Sequence, residues 1–105
     1  MSTDFKHLSG KIIIHAIVIA QEGQAEKLQS FLKKIQAEST SDKEPGCLVY
    51  RINRSGNEFF IFEEYENPAA IEWHFKSAGF QSLVEEVGKG DLVVGAPNIT
   101  YYQEV

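Results

Sequence analysis

The first strongly patterned stretch, Lys11 to Ala20 (KIIIHAIVIA), is apolar at nearly every position and rich in β-branched residues. That composition predicts a strand. Ile12, Ile14, Ala16 and Val18 would lie on one side, and Ile13, His15, Ile17 and Ile19 on the other. A strand that is apolar on both faces must be covered on both. From Gln24 to Glu38 the period changes: Ala25, Leu28, Phe31, Leu32 and Ile35 fall at helical spacing, while Glu26, Lys27, Lys33 and Lys34 face water. Ser39 to Gly46 is a loop by composition. Cys47 to Asn53 and Glu58 to Tyr65 read as two strands joined by a hairpin turn at Arg54-Ser55-Gly56-Asn57.

Asn67-Pro68 opens a second helical region, with Asn67 as N-cap and Pro68 at the first helical position. Ser77-Ala78-Gly79 marks a point where that helix can bend or break, after which Phe80, Leu83, Val84 and Val87 resume an apolar stripe. Gly88 and Gly90 end it. Asp91 to Asn98 is a connector with room for a short strand at Leu92 to Val94, and Ile99 to Val105 is the last strand. Residues 1–10 read as a flexible polar tail before a single domain spanning 11–105.

The order β-α-β-β-α-β predicts an α+β, ferredoxin-like fold: one four-stranded antiparallel sheet with the helices on a single face. In a chain this short the helices cover only one face of the sheet. A second copy packed sheet to sheet is the economical cover for the other, which makes the chain itself the expected partner.

Composition narrows the function classes. The chain has 105 residues, 43% hydrophobic and 24% charged, with a formal net charge of −5. An acidic chain of this kind is a poor fit for nucleic acid or an anionic membrane surface. A domain this size buries a core without disulfide or metal staples. The lone Cys47 fits a reducing compartment. The first ten residues lack a signal-peptide pattern, and Ile12 to Ala20 is too short to span a bilayer. The expectation is a soluble, cytoplasmic protein. The three histidines and one cysteine lack metal-ligand spacing, and Gly88-Lys-Gly90 lacks the spacing of a phosphate loop, so neither cofactor nor metal is expected.

One set of motifs is more specific. Glu44-Pro-Gly-Cys-Leu-Val-Tyr50 enters the second strand, Phe59, Glu63 and Tyr65 lie in the third (FFIFEEY), and Asn67-Pro-Ala-Ala precedes His74 within WHFKSAGFQSL. In these residues, from about Lys11 to the C-terminus, the chain resembles the antibiotic biosynthesis monooxygenase family of small dimeric α+β barrel proteins. The resemblance implies cofactor-free oxygenases acting on quinol-like or polyphenolic molecules, with a pocket in each subunit between sheet and helices. Many relatives carry a second histidine where Gly79 stands here, which removes a possible second acid/base group. The related haem-degrading branch uses an Asn, a Trp and a His; those positions fall near Ala16, on His74 and on Val84, so haem degradation is rejected.

His74 is the expected proton acceptor. An imidazole titrates near pH ~6.5 and can take a phenolic proton at neutral pH. His74 shares a helical stripe with Ala70, Ile71 and Ala78, so it should point inward. The plainer alternative is a core histidine with a satisfied hydrogen bond. Tyr65 is the second catalytic candidate, as a hydrogen-bond donor to a substrate oxygen. Tyr50 is a further hydrogen-bond donor to a substrate oxygen, aromatic packing being its plainer role; Trp73 either lines the pocket or covers the sheet, and Phe62 completes the expected substrate-binding set. Glu63, if buried, needs a partner, and Arg51 across the hairpin is the expected one, as an ion pair at the dimer interface. His15 suits a structural or interface role, Cys47 a small core position, and His7 lies on the tail. The function expected is a cofactor-independent monooxygenase of a small aromatic or quinol-type molecule. The alternatives are a non-oxygenase binding protein, an isomerase or lyase on the same scaffold, or a purely structural dimer.

Overall fold

A computed structural model describes residues 5–105. Four strands, β1 (Ile12–Ile19), β2 (Cys47–Ser55), β3 (Glu58–Tyr65) and β4 (Asn98–Gln103), form one sheet in the order β2-β3-β1-β4 with every neighbouring pair antiparallel. Three helices complete the described residues: α1 (Ala25–Ser39), α2 (Pro68–Phe75) and α3 (Ala78–Gly88). This is the ferredoxin-like α+β arrangement, with β1 and β3 central. Among the described residues, no helix is long and apolar enough to cross a membrane.

The register assigns each side chain a face, because residues directly opposite one another project to the same side. Ile12, Ile14 and Ala16 are buried beneath the helices together with Phe59, Ile61, Glu63 and Tyr65. Ile13, His15 and Ile17 occupy the other face, opposite Glu64, Phe62 and Phe60. There His15 sits 5.2 Å from the Phe60 ring, 5.4 Å from Phe62 and 4.9 Å from Tyr102.

The second helical region is two helices. Asn67 caps α2 by accepting from the Ala70 N–H at 2.9 Å, and Ser77 starts α3 by accepting from the Phe80 N–H at 3.3 Å. The possible strand at Leu92 to Val94 reduces to a single antiparallel bridge, Ala20 to Val93. Its backbone is used to fasten the connector to the end of β1, Val94 N–H donating to Ile19 O at 2.8 Å. The tail expected over 1–10 lies in part outside the described residues; within them, Phe5 is buried and its ring packs 5.9 Å from Phe75 and 5.3 Å from Tyr101.

Candidate active site

The site is assembled where α1 ends, α2 runs and the middle of β3 passes beneath. Gly46 lets the loop before β2 press against α2: a Cβ there would stand 2.5 Å from the Ala70 Cβ, closer than real Cβ atoms come. The turn that leads to it, with Glu44 N–H bonded to Ser41 O and Cys47 N–H to Glu44 O, directs the Glu44 side chain inward. Glu44 is only 3% exposed. Its Oε1 lies 2.7 Å from Nδ1 of His74, which is itself 2% exposed. Ser39, the buried last residue of α1, donates from Oγ to Glu44 Oε2 at 3.3 Å and lies 3.3 Å from the same His74 nitrogen.

On the other side of the ring, His74 Nε2 faces Glu63 Oε1 at 3.7 Å. Glu63 is buried on β3, and the Tyr65 hydroxyl donates to its Oε1 at 2.6 Å. Ser39, Glu44, His74, Glu63 and Tyr65 thus form one continuous buried chain of polar groups, in which every buried side-chain polar atom among the described residues has a partner. Burial raises the Glu63 pKa above its ordinary 4.5, with nearby Glu44 adding to the rise and His74 and Tyr65 opposing it. Burial also pushes the phenols of Tyr50 and Tyr65 up, the Glu63 charge reinforcing both, so these hydroxyls stay protonated donors.

His74 and Glu63 border a cavity of about 270 Å³ between the sheet and the helices. Tyr50 stands beside them, and Ile14, Ala16, Leu32 and Ile61 form the inner walls. Along α3, Leu83, Val84 and Val87 turn their apolar stripe toward the cavity. Val84 is half exposed at the mouth. Gly79, where the resemblance places a second histidine, is committed elsewhere. Its N–H donates to Glu38 Oε1 at 2.6 Å, and a Cβ at this position would collide with that carboxylate oxygen.

Of the residues singled out from sequence, the structure brings His74 and Tyr50 to the cavity and places Tyr65 behind it, bonded to Glu63. It does not bring Trp73 or Phe62. Trp73 is 60% exposed and its Nε1 donates to Lys43 O at 2.7 Å, fastening the loop that carries Glu44. Phe62 is on the opposite face of the sheet, against His15. The expected Glu63–Arg51 pair does not form, because Arg51 lies opposite Phe62 and shares that outer face. Glu44 and Ser39 were not singled out as functional. The one signal for Glu44 is its place directly before Pro45-Gly46.

A model of the antibiotic biosynthesis monooxygenase family matches residues 12–86, well over half of the chain. The chain belongs to that family. The family is named for monooxygenase chemistry. A candidate antibiotic biosynthesis monooxygenase from Caulobacter crescentus is 27% identical, with a TM-score of 0.81 over 92% of each chain. Protein PA3566 from Pseudomonas aeruginosa is 26% identical, with a TM-score of 0.78 over 94% of this chain and 98% of that one. The uncharacterized Synechocystis protein sll1783 is 33% identical over 66 residues, 60% of this chain but 44% of that relative's length. The family match covers Glu44, Glu63, Tyr65 and His74 as well as all three helices but for the last two residues of α3.

Proposed function

We propose that this family member is a cofactor-independent monooxygenase that oxidises a small, electron-rich aromatic or quinol-type molecule with O₂, with His74 as the proton acceptor. One observation carries the reading: an imidazole held by a buried carboxylate 2.7 Å from Nδ1 borders an apolar cavity of about 270 Å³. With Glu44 accepting from Nδ1–H, the basic lone pair is on Nε2, the nitrogen that faces Glu63. His74 takes the phenolic proton through Nε2, and Glu44 stabilises the imidazolium that results. Tyr50 offers its hydroxyl to the substrate oxygen. Tyr65 acts as a positioning residue by holding Glu63.

The deprotonated ring passes one electron to O₂, and the two radicals combine at the ring carbon ortho or para to the oxygen. The imidazolium returns its proton to the resulting peroxide. Cleavage of the O–O bond leaves one oxygen on the ring as a carbonyl and releases the other as water. The hydrogens of that water are the phenolic proton and the hydrogen displaced from the ring carbon. All the electrons that reduce O₂ come from the substrate, so the balance needs no external reductant.

The test is oxygen uptake by metal-free protein against a panel of quinols and polyphenols. Uptake that falls on the order of 10²–10⁴-fold in His74→Ala supports the reading. No uptake, with thermal stabilisation by the same compounds, would move the assignment to a binding protein or a non-oxidative enzyme.

A second copy of the chain is proposed to cover the outer sheet face, where Ile13, Ile17, Phe60 and Phe62 surround His15. Sedimentation should give a dimer that Phe62→Glu weakens. A wild-type monomer at all concentrations would contradict this.

A further inference from the structure

The polar part of the cavity is confined to one row of the sheet. Tyr50 of β2 is opposite Glu63 of β3, Glu63 is opposite Ile14 of β1, and Ile14 is opposite Tyr101 of β4. With His74 above them, these residues supply all the polar side chains of the lining among the described residues. The next row toward the mouth, about 7 Å along the strands, is Ile61, Ala16 and Ile99, and Val18 lies beyond it. Val84 and Pro97 form the exposed rim. Among the described residues that line the cavity there is no lysine or arginine.

We infer that the cavity takes an uncharged aromatic molecule whose hydroxyl groups are confined to one edge, the remainder being apolar, and that it discriminates against a carboxylate or a second hydroxyl at the far edge. The inference rests on the cavity being the reaction site and narrows its substrate class. A hydroxyl on the Glu63 row meets Tyr50 and His74. A group at the opposite edge of the ring system lies against Ile61, Ala16, Ile99 and Val18, where a hydroxyl loses its water without gaining a partner. A carboxylate there is worse placed. It would be desolvated with no counter-charge, since none of the described lining residues is a lysine or arginine. The volume, just under the range of about 300–1,000 Å³ usual for drug-sized ligands, suits one or two rings.

Three molecules on one scaffold test this by calorimetry at pH 7 with oxygen excluded: 2-naphthol, naphthalene-2,6-diol and 6-hydroxy-2-naphthoate. The expected result is saturable binding of 2-naphthol, binding of the diol weaker by about ten-fold or more, and binding of the carboxylate weaker by about a hundred-fold or more. Val84→Lys, a change on an exposed helix position at the rim, should raise the affinity for the carboxylate at least ten-fold while leaving 2-naphthol within about three-fold. Wild-type affinity for the diol or the carboxylate equal to that for 2-naphthol would overturn the inference, as would failure of 2-naphthol to bind. The two readings fail separately: 2-naphthol binding with the expected ranking but no oxygen uptake on any aromatic sinks the oxygenase alone. His74-dependent uptake with no preference among the three ligands sinks the substrate class alone.

Discussion

Replacing Glu44 by glutamine tests the source of His74's reactivity. The substitution keeps the shape of a side chain that is 3% exposed, so it should fold; it replaces the carboxylate beside Nδ1 by a neutral amide, one of whose two ends is an NH₂. A hydrogen bond to a charged group contributes about 1.5–3 kcal/mol, against about 0.5–1.5 for a neutral pair. The imidazolium formed as His74 takes a proton would therefore lose about 1–2 kcal/mol of stabilisation, which lowers the rate about 5- to 30-fold. A larger loss follows if the new amide turns its NH₂ toward Nδ1. The ring proton would then move to Nε2, the nitrogen meant to accept, and the equivalent carboxylate-to-amide change in hydrolase triads costs about 10⁴-fold. Steady-state oxygen uptake gives the rate, and ¹⁵N NMR of the imidazole shows which nitrogen carries the proton. A rate within two-fold of wild type, with the proton still on Nδ1, would refute the argument that Glu44 activates His74.

Two further outcomes follow from the same buried cluster. The pKa of Glu63 is raised chiefly by burial, so its contribution to stability is complete below the ordinary 4.5 and is lost as pH rises through the folded-state value. Glu63→Gln removes that titration, and its melting temperature minus that of wild type should rise between pH 4 and pH 8; a signed difference that stays flat or falls would contradict the assignment. Cys47 is pushed up to about 12 from 9.0, first by burial and then by Glu44 and Glu63. Its thiolate at pH 8 should be about a thousand-fold scarcer than that of an ordinary thiol, making it slow toward iodoacetamide in the native protein and fast in urea. Native alkylation at the rate of free cysteine, followed by intact mass, would show that burial does not govern this thiol.

Strand periodicity carried most of the fold and, read fully, would have carried more of the site. The doubly apolar β1 required cover on two faces, and the helices do lie on one of them. Placing Phe59, Ile61, Glu63 and Tyr65 on one face already sends Phe62 to the other, as β3 shows. The pairing of Glu63 with Arg51 fails for the same reason: the hairpin register sets Tyr50, not Arg51, opposite Glu63. Trp73 precedes His74 by one helical position, about 100° around the axis, so the inward turn of His74 leaves Trp73 near the surface. Glu44 was hidden for a different reason. Its burial depends on a close approach between Gly46 and Ala70, residues far apart in sequence, and no local pattern reports it. The break between α2 and α3 was legible in Ser77, a capping residue in the middle of an apolar stripe.

The central claim is that His74 starts an oxygen insertion by taking a substrate proton, and labelled oxygen tests it most directly. Metal-free protein turned over under ¹⁸O₂ with an electron-rich aromatic that supports uptake should yield a product carrying one ¹⁸O atom per turnover, the other appearing in water. His74→Ala should lower that yield on the order of 10²–10⁴-fold. Product without label, peroxide in place of water, or undiminished labelling in the variant would contradict the account.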